Sequence, residues 1–170
     1  MFNLLNLDSN SDPHRLSLIK ISDQTKLKIN TQIGMNRSKQ RFDNFEQALL
    51  QLREALLIAN PSLIELAGSI KLFELAFELG WKTIKDILEQ ENLFKNEIIS
   101  SPRRVIKIAV QCHFLEEAEG QIWLEALDNR NLLVHTYNYG FAEQCKNEIH
   151  YTYYPLLEKL LAKVKSNFYE

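Results

Sequence analysis

The chain has few of the residues that usually direct a sequence to a disulfide or metal site. Its 170 residues include two cysteines, Cys112 and Cys145, which form no Cys-x-x-Cys spacing. Neither a disulfide framework nor a zinc site is therefore predicted, and a reducing compartment fits this cysteine usage. The sequence also has no glycine-rich phosphate loop, internal repeat or low-complexity tract. We accordingly expect no metal and no cofactor.

A strong charge of one sign is also missing, as is any long apolar run. The formal net charge is −2 and the isoelectric point is about 6.1. These values argue against nucleic-acid binding through bulk electrostatics, because such proteins usually carry a basic face. No apolar run approaches the ~20 residues of a membrane span, and the N-terminus lacks the apolar stretch of a signal peptide. The sequence predicts a soluble, cytoplasmic protein in which any nucleic-acid contact is local.

The sequence does contain apolar residues at helical spacing, with a hydrophobic content of 45% that is enough for one domain to bury a core. Steps of three and four residues recur in three stripes. The stripes are Phe42, Phe45, Leu49, Leu52, Leu56 and Ala59; Leu66, Ile70, Phe73, Phe77, Trp81, Ile84 and Leu88; and Ala142, Cys145, Ile149, Leu156, Leu160, Val164 and Phe168. With a further helix from about Ile122, they predict an all-α fold, an antiparallel up-and-down four-helix bundle with one extra short helix that begins at Ser101-Pro102.

Three positions inside these helices carry local expectations. Glu78 is placed to pair with Lys82 on the next turn. Gly80 costs about 1 kcal/mol relative to alanine inside a helix, so close packing, or a ligand, is expected there. Pro155 cannot donate to the helical ladder and should kink or break the last helix just before it.

Residues 1–34 differ in pattern from the rest of the chain. Asp8 to Pro13 is typical of a turn, and Leu16 to Ile29 alternates apolar and polar residues in a manner more typical of strand than of helix. A two-stranded hairpin alone is marginal in water. We therefore expect residues 1–34 to be a flexible or loosely docked extension and residues 35–170 to form the bundle. Met35 after Gly34 leaves open that translation begins there.

A cation, an imidazole and a phenol cluster at Arg130, His135 and Tyr137. A histidine with a pKa of roughly 6.5 exchanges a proton at neutral pH, and a guanidinium binds phosphate and stabilises a phosphoryl transition state. Without metal ligands, the simplest such reaction is attack of an RNA 2′-hydroxyl on its own phosphate. Arg130 and His135 lie about 140° apart on an ideal helix. They act together only through a long reach, a loosened helix end or a second copy of the helix.

Simpler interpretations of the same residues stay open. Arg130 can pair with a carboxylate, and His135 can cap the helix end. Asp128 either tunes His135 or pairs with a lysine at the surface. The short helix begins with a basic cluster that is either a solvated face or a contact for RNA or nucleotide phosphates. This cluster comprises Arg103, Arg104 and Lys107.

From Arg41 onwards the chain also carries several separated sequence blocks in a fixed order. The blocks are Arg41-Phe42-x-Asn44-Phe45, Phe73-Glu74-x-x-Phe77-Glu78-Leu79-x-Trp81-Lys82, Ser101-Pro102-Arg103-x-Val105-Ile106, Ile122-Trp123-Leu124-x-x-Leu127-x-x-Arg130-Asn131, His135-Thr136-Tyr137 and Tyr154-Pro155-Leu156-Leu157. Through them the chain resembles the nucleotidyltransferase substrate-binding protein family, part of the HEPN superfamily of small helical bundles. Residues 1–34 are not covered by the resemblance.

The resemblance implies a homodimeric bundle whose partner is a minimal nucleotidyltransferase. In related HEPN proteins an arginine followed by a histidine at this spacing is the active motif of a metal-independent ribonuclease, and Arg130 and His135 fill it here with Asn131 as the polar neighbour. HepT-like toxins add a tyrosine two residues after the histidine, which is Tyr137 in this chain. Their partner silences them by transferring AMP to that tyrosine.

Two hypotheses follow from the residues and the resemblance together. In the favoured one the protein is the ribonuclease toxin of a toxin-antitoxin pair. His135 is then the general acid or base, Arg130 stabilises the phosphorane-like transition state, and Asn131 orients one of them. In the alternative the protein is a non-catalytic substrate-binding subunit of its nucleotidyltransferase.

Overall fold

The structure is a computed structural model of the chain that describes residues 23–93, 101–132 and 138–169. Its α-helices are α1 (Asp23–Leu56), α2 (Leu63–Gln90), α3 (Pro102–Gln111), α4 (Glu117–Leu132), α5 (Tyr139–Glu148) and α6 (Tyr154–Val164). Two π-helical turns, Ile149–Tyr153 and Lys165–Tyr169, make the chain from α5 onwards one continuous helical segment. The four long helical segments are α1, α2, α4 and α5 with α6, and α3 is the short extra helix. The predicted all-α bundle is confirmed.

The contacts between residues divide the chain into two units, with the division between Asn36 and Arg37. Within the first, residues 23–36 are described and lie in α1. The strand-like interpretation of Leu16 to Ile29 is therefore wrong over residues 23–29. A short alternation of apolar and polar residues does not distinguish strand from helix, and a long helical pattern that follows it decides the outcome. The expectation of a flexible extension stays a prediction, because residues 1–22 lie outside the described residues.

The core of residues 37–170 is built from the predicted apolar stripes. Every residue of the first two stripes is buried except Ala59, which lies beyond the end of α1. The third stripe is also buried, apart from the half-buried Phe168. Trp123 on α4 is fully buried, with its ring centroid 5.1 Å from that of Phe77. None of the helices in the described ranges combines the length and apolarity needed to cross a bilayer.

Gly80 marks a close approach of three helices to α2. A Cβ built on Gly80 would lie 3.0 Å from Trp123 Cη2, 3.2 Å from Phe45 Cε2 and 3.3 Å from Leu157 Cδ2. Side chains from α1, α4 and α6 thus converge on one turn of α2. Close packing explains this glycine, because a larger residue would displace buried rings from a densely packed interior.

Polar residues at the helix ends fix where α2 and α4 begin. Ser62 and Glu65 form a capping box at the start of α2, in which the Ser62 backbone N–H donates to Glu65 Oε2 at 2.7 Å. In α4 the helix begins at Glu117, earlier than the predicted start near Ile122. The backbone N–H of Glu116 donates to Glu119 Oε2 at 2.9 Å, and acidic residues in a first turn are favoured by the helix dipole.

Pro155 is accommodated by a change of helix type. The helix neither stops nor breaks before the proline but widens into the π-turn Ile149–Tyr153, where the Tyr154 N–H donates to the Ile149 carbonyl. A proline removes one backbone donor and crowds the preceding turn, and a π-turn relieves this by taking in one additional residue. The widened turn sets the position of Tyr153.

Candidate functional site

Arg130 is the predicted site residue on α4 whose side-chain contacts with other described residues the structure gives. It lies in the last turn of α4. His135 and Tyr137 fall outside the described residues, and so does the side chain of Asn131. The roles assigned to these three residues therefore stay predictions, and the site is built from Arg130 outward.

The Arg130 guanidinium is held by Glu78 on α2. Arg130 Nη1 donates to Glu78 Oε2 at 3.0 Å. The same oxygen accepts from Trp81 Nε1 at 3.0 Å, and Lys82 Nζ lies 2.8 Å from Glu78 Oε1. The predicted pairing of Glu78 with Lys82 is confirmed. We call these four residues the Glu78 cluster, in which one carboxylate receives three donors.

The Glu78 cluster is partly open to solvent and carries a net positive charge. Glu78 and Arg130 are 30% and 31% exposed, Lys82 is 39% exposed, and Trp81 is buried. Burial alone would raise the pKa of the Glu78 carboxyl, but hydrogen bonds from Lys82 and Trp81 and the charges of Lys82 and Arg130 outweigh it, so the pKa lies below its ordinary value. Glu78 is therefore ionised at neutral pH and faces two cations.

A second network fixes the last turn of α4 from its other side. Asn129 Nδ2 donates to Tyr153 Oη at 2.6 Å and to Glu148 Oε1 at 2.9 Å, and Tyr153 Oη donates to the same Glu148 oxygen at 2.6 Å. The Tyr153 ring is buried and stacks on Phe73 with centroids 5.3 Å apart. The π-turn is thereby tied to the residue that precedes Arg130.

This network predicts an alkaline limit to stability. Burial and the hydrogen bond to Glu148 raise the pKa of Tyr153 above its ordinary value. In the unfolded chain the phenol ionises at its ordinary pKa of about 10, whereas in the folded protein it stays neutral to higher pH. The contacts of the neutral phenol therefore stabilise the fold fully below about pH 10, and this stabilisation is lost as the pH rises further. Urea titrations from pH 8 upward should show a smaller alkaline loss of unfolding free energy in Tyr153→Phe than in the wild type.

Tyr151→Phe is the matched control, because Tyr151 lies in the same turn and is 76% exposed. Its pH profile is expected to overlay that of the wild type. At neutral pH, Tyr153→Phe should cost about 0.5–1.5 kcal/mol for the lost hydrogen bonds. Identical alkaline profiles for Tyr153→Phe and the wild type would rule out this account of the network.

Arg103 of the basic cluster contacts a different side of α4. Arg103 pairs with Asp128, so the partner of Asp128 is an arginine and not the lysine that was considered. Asp128 and Arg130 are two residues apart, about 200° around the helix. The structure therefore does not bring Arg103 next to Arg130. Contact of Arg103, Arg104 and Lys107 with RNA or a nucleotide stays a prediction.

The contact between Arg130 and Glu78 is not apparent from local sequence patterns, since 52 residues separate the two. Asn129 was likewise missed as the partner of Tyr153. The sequence did offer one signal for the contact with Arg130. Glu78 directly follows Phe77 of a core stripe, and a carboxylate so close to the core needs a hydrogen-bond or ionic partner. Among the residues that the structure describes, no group of three or more His, Cys, Asp or Glu side chains is arranged to hold a metal ion.

Comparison with known proteins places this bundle in a family. A family model described as nucleotidyltransferase substrate binding protein like matches residues 40–166. The structure is similar to that of ttk003001694 from Thermus thermophilus, with 30% identity, a TM-score of 0.63, and coverage of 71% of this chain and 98% of that one.

The fold is also similar to that of a chain in the crystal structure of a mutant toxin-antitoxin MntA-HpeT, with 12% identity, a TM-score of 0.64, and coverage of 76% of this chain and 98% of that one. An identity this low shows the fold alone. No curated protein matches the sequence. Because the family model matches well over half of the chain, from the second half of α1 through α6, the chain belongs to the nucleotidyltransferase substrate binding protein like family.

Proposed function

We propose that the chain is the helical partner of a minimal nucleotidyltransferase and is the metal-independent endoribonuclease of a toxin-antitoxin pair. The observation that carries this proposal is the half-buried Arg130, oriented by Glu78 in the turn that leads to His135. Family membership supports the nucleotidyltransferase partner, and a chain of the same fold occurs in a toxin-antitoxin complex. The protein would act in the cytoplasm, where RNA is accessible.

The proposed reaction is an internal transesterification of RNA. His135 accepts the proton of a ribose 2′-hydroxyl, whose oxygen attacks the adjacent phosphorus, and the bond from phosphorus to the 5′-oxygen breaks. The leaving 5′-oxygen takes up a proton from water, His135 returns its proton to water, and a cyclic phosphate remains on the 2′- and 3′-oxygens. Arg130 neutralises the charge that develops on the phosphorane oxygens, and Asn131 orients one of the two catalytic groups.

A homodimer would bring these groups together. His135 follows Arg130 by five positions, a spacing that would place them about 140° apart on one ideal helix. Two copies of the segment facing each other across a cleft would supply the arginine from one subunit and the histidine from the other. We therefore include a homodimer in the proposal.

Regulation would act through Tyr137. Its phenolic oxygen would attack the α-phosphorus of ATP on the nucleotidyltransferase, with release of pyrophosphate. The attached AMP places an anionic phosphate and a base beside the catalytic residues, where it competes with RNA for Arg130. Modified protein should therefore be inactive.

A non-catalytic substrate-binding subunit is the second candidate, and one observation favours it. Glu78 already pairs with Arg130, which weakens the positive potential available to a phosphate. In this candidate the bundle binds a nucleotide or the nucleotidyltransferase and cuts no RNA. The two candidates differ in toxicity and RNA integrity when the protein is expressed alone.

Expression in bacteria tests the proposal. The wild type alone should arrest growth and fragment RNA, co-expression with its cognate nucleotidyltransferase should restore growth, and His135→Asn should abolish cleavage because asparagine transfers no proton near pH 7. His113→Asn is the matched control, since His113 is exposed and has a positive φ of 57° that asparagine tolerates. Healthy growth and intact RNA with the wild type alone would favour the non-catalytic subunit.

A further inference from the structure

The donors around the Glu78 carboxylate are of the kind that bind phosphate. Each of three donor nitrogens lies within 3.0 Å of one of its oxygens: Lys82 Nζ of Oε1, and Trp81 Nε1 and Arg130 Nη1 of Oε2. A carboxylate offers two oxygens and one negative charge, whereas a phosphate offers more oxygens and at least equal charge. The guanidinium has five N–H groups, and a single one bonds to Glu78, so it retains donors for a second anion.

The carboxylate is held weakly enough to be exchanged. Glu78 and Lys82 form an i,i+4 pair on the surface of α2, and the bridge from Arg130 is about one third exposed at each end. Pairs with this exposure contribute about 0–1 kcal/mol each. Release of Glu78 would leave the indole N–H of the buried Trp81 without its acceptor, and a phosphate oxygen would replace that acceptor.

We infer that Lys82, Trp81 and Arg130 form a phosphate-binding site for a ribonucleotide, and that Glu78 occupies this site in the unbound protein. The inference rests on the proposed function for its ligand, an RNA phosphate. It adds α2 to the RNA-binding surface, with Lys82 as a second cation beside Arg130. Glu78 acts as an intramolecular competitor that the RNA phosphate displaces.

Binding is measured by fluorescence anisotropy with a labelled 2′-O-methyl oligoribonucleotide, whose blocked 2′-oxygen prevents the proposed cleavage. Glu78→Gln should bind about threefold to tenfold more tightly, since the amide keeps an acceptor for Trp81 without competing as an anion. Lys82→Met should bind several-fold more weakly. Log affinity falls as log salt concentration rises, and the steepness of this slope should decrease by about 0.7 in Lys82→Met. This is the change expected for one lost single-strand phosphate contact.

The same helix supplies matched controls for overall charge. Glu74 pairs with Lys71 one turn earlier, and Lys85 pairs with Glu89 one turn later. Glu74→Gln and Lys85→Met make the same changes in charge without reaching Arg130, and should leave the affinity within about twofold of wild type. Equal effects of Glu78→Gln and Glu74→Gln, or weaker binding by Glu78→Gln, would overturn the inference.

The result separates this inference from the proposed function. If unmodified RNA is not cleaved but the Glu78→Gln and Lys82→Met effects on binding are found, the site stands and the ribonuclease proposal fails. If RNA is cleaved and both variants bind like their controls, the ribonuclease proposal stands and the phosphate-binding site fails. Competition by AMP would extend the site to a free nucleotide phosphate, and its absence would confine the site to the RNA backbone.

Thermal unfolding checks that each variant is folded. If Glu78→Gln fails to fold, the affinity and salt slope of Lys82→Met decide the outcome.

Discussion

Arg130→Lys is expected to lower the rate of RNA cleavage by about a hundredfold or more. Lysine keeps the positive charge but loses the planar fork of N–H donors, which binds Glu78 in the unbound protein and would bind the phosphorane oxygens during cleavage. The loss should therefore appear mainly in kcat, because the fork is needed most in the transition state. Single-turnover cleavage of a defined oligoribonucleotide measures it.

Arg41→Lys is the control for this substitution. Arg41 is also 31% exposed and also pairs with a carboxylate of α2, that of Asp86. It has no contact with the Glu78 cluster among the described residues, so cleavage by Arg41→Lys should stay within about threefold of wild type. Equal losses in the two variants would mean that arginine-to-lysine changes act through stability, and would contradict a catalytic role for Arg130.

Trp123→Ala is expected to have the largest effect on stability, a loss of about 3–5 kcal/mol. Trp123 is fully buried, packs on Phe77 and lies beside Gly80, where three helices approach α2. The cavity left by its ring cannot close, because the backbone of α2 and the surrounding side chains are already in contact. The loss is a large part of the roughly 5–15 kcal/mol that stabilises a typical domain. The urea midpoint followed by far-UV circular dichroism measures it.

Trp123→Phe separates the effect of packing from that of hydrogen bonding. The indole Nε1 of Trp123 is buried and has no hydrogen-bond partner among the residues that the structure describes. Phenylalanine removes this unsatisfied donor and keeps most of the contact area, so a cost of about 1–2 kcal/mol is expected. A loss as large as that of Trp123→Ala would show that the indole N–H is satisfied in solution.

The core could be predicted well from the sequence because core-facing residues repeat with the period of the helix. Each residue of the α2 stripe from Leu66 to Leu88 is buried as the spacing requires. Predictions failed where a short pattern or a polar cap decides the structure. Residues 23–29 alternate like a strand but lie in α1, and α4 begins at Glu117 through acidic residues that no apolar stripe reveals.

The site was less predictable, because its contacts join residues far apart in the chain. The pairing of Glu78 with Lys82 follows from helical spacing, but nothing in the spacing places Arg130 on the same carboxylate. The pair of Arg103 with Asp128 depends in the same way on how α3 packs against α4. Such contacts are set by tertiary packing, and local periodicity carries no information about them.

The π-turn before Pro155 also determines where relatives of this chain can differ in length. A π-turn holds one residue more than an α-turn between the same two ends. Losing one residue from 150–152 would leave an ordinary α-turn, and α5 and α6 would keep their buried faces, whereas the same loss elsewhere rotates the following helix by about 100°. A single-residue gap at this point in an alignment would therefore mark an ordinary α-turn in place of the π-turn, and not the loss of the bundle.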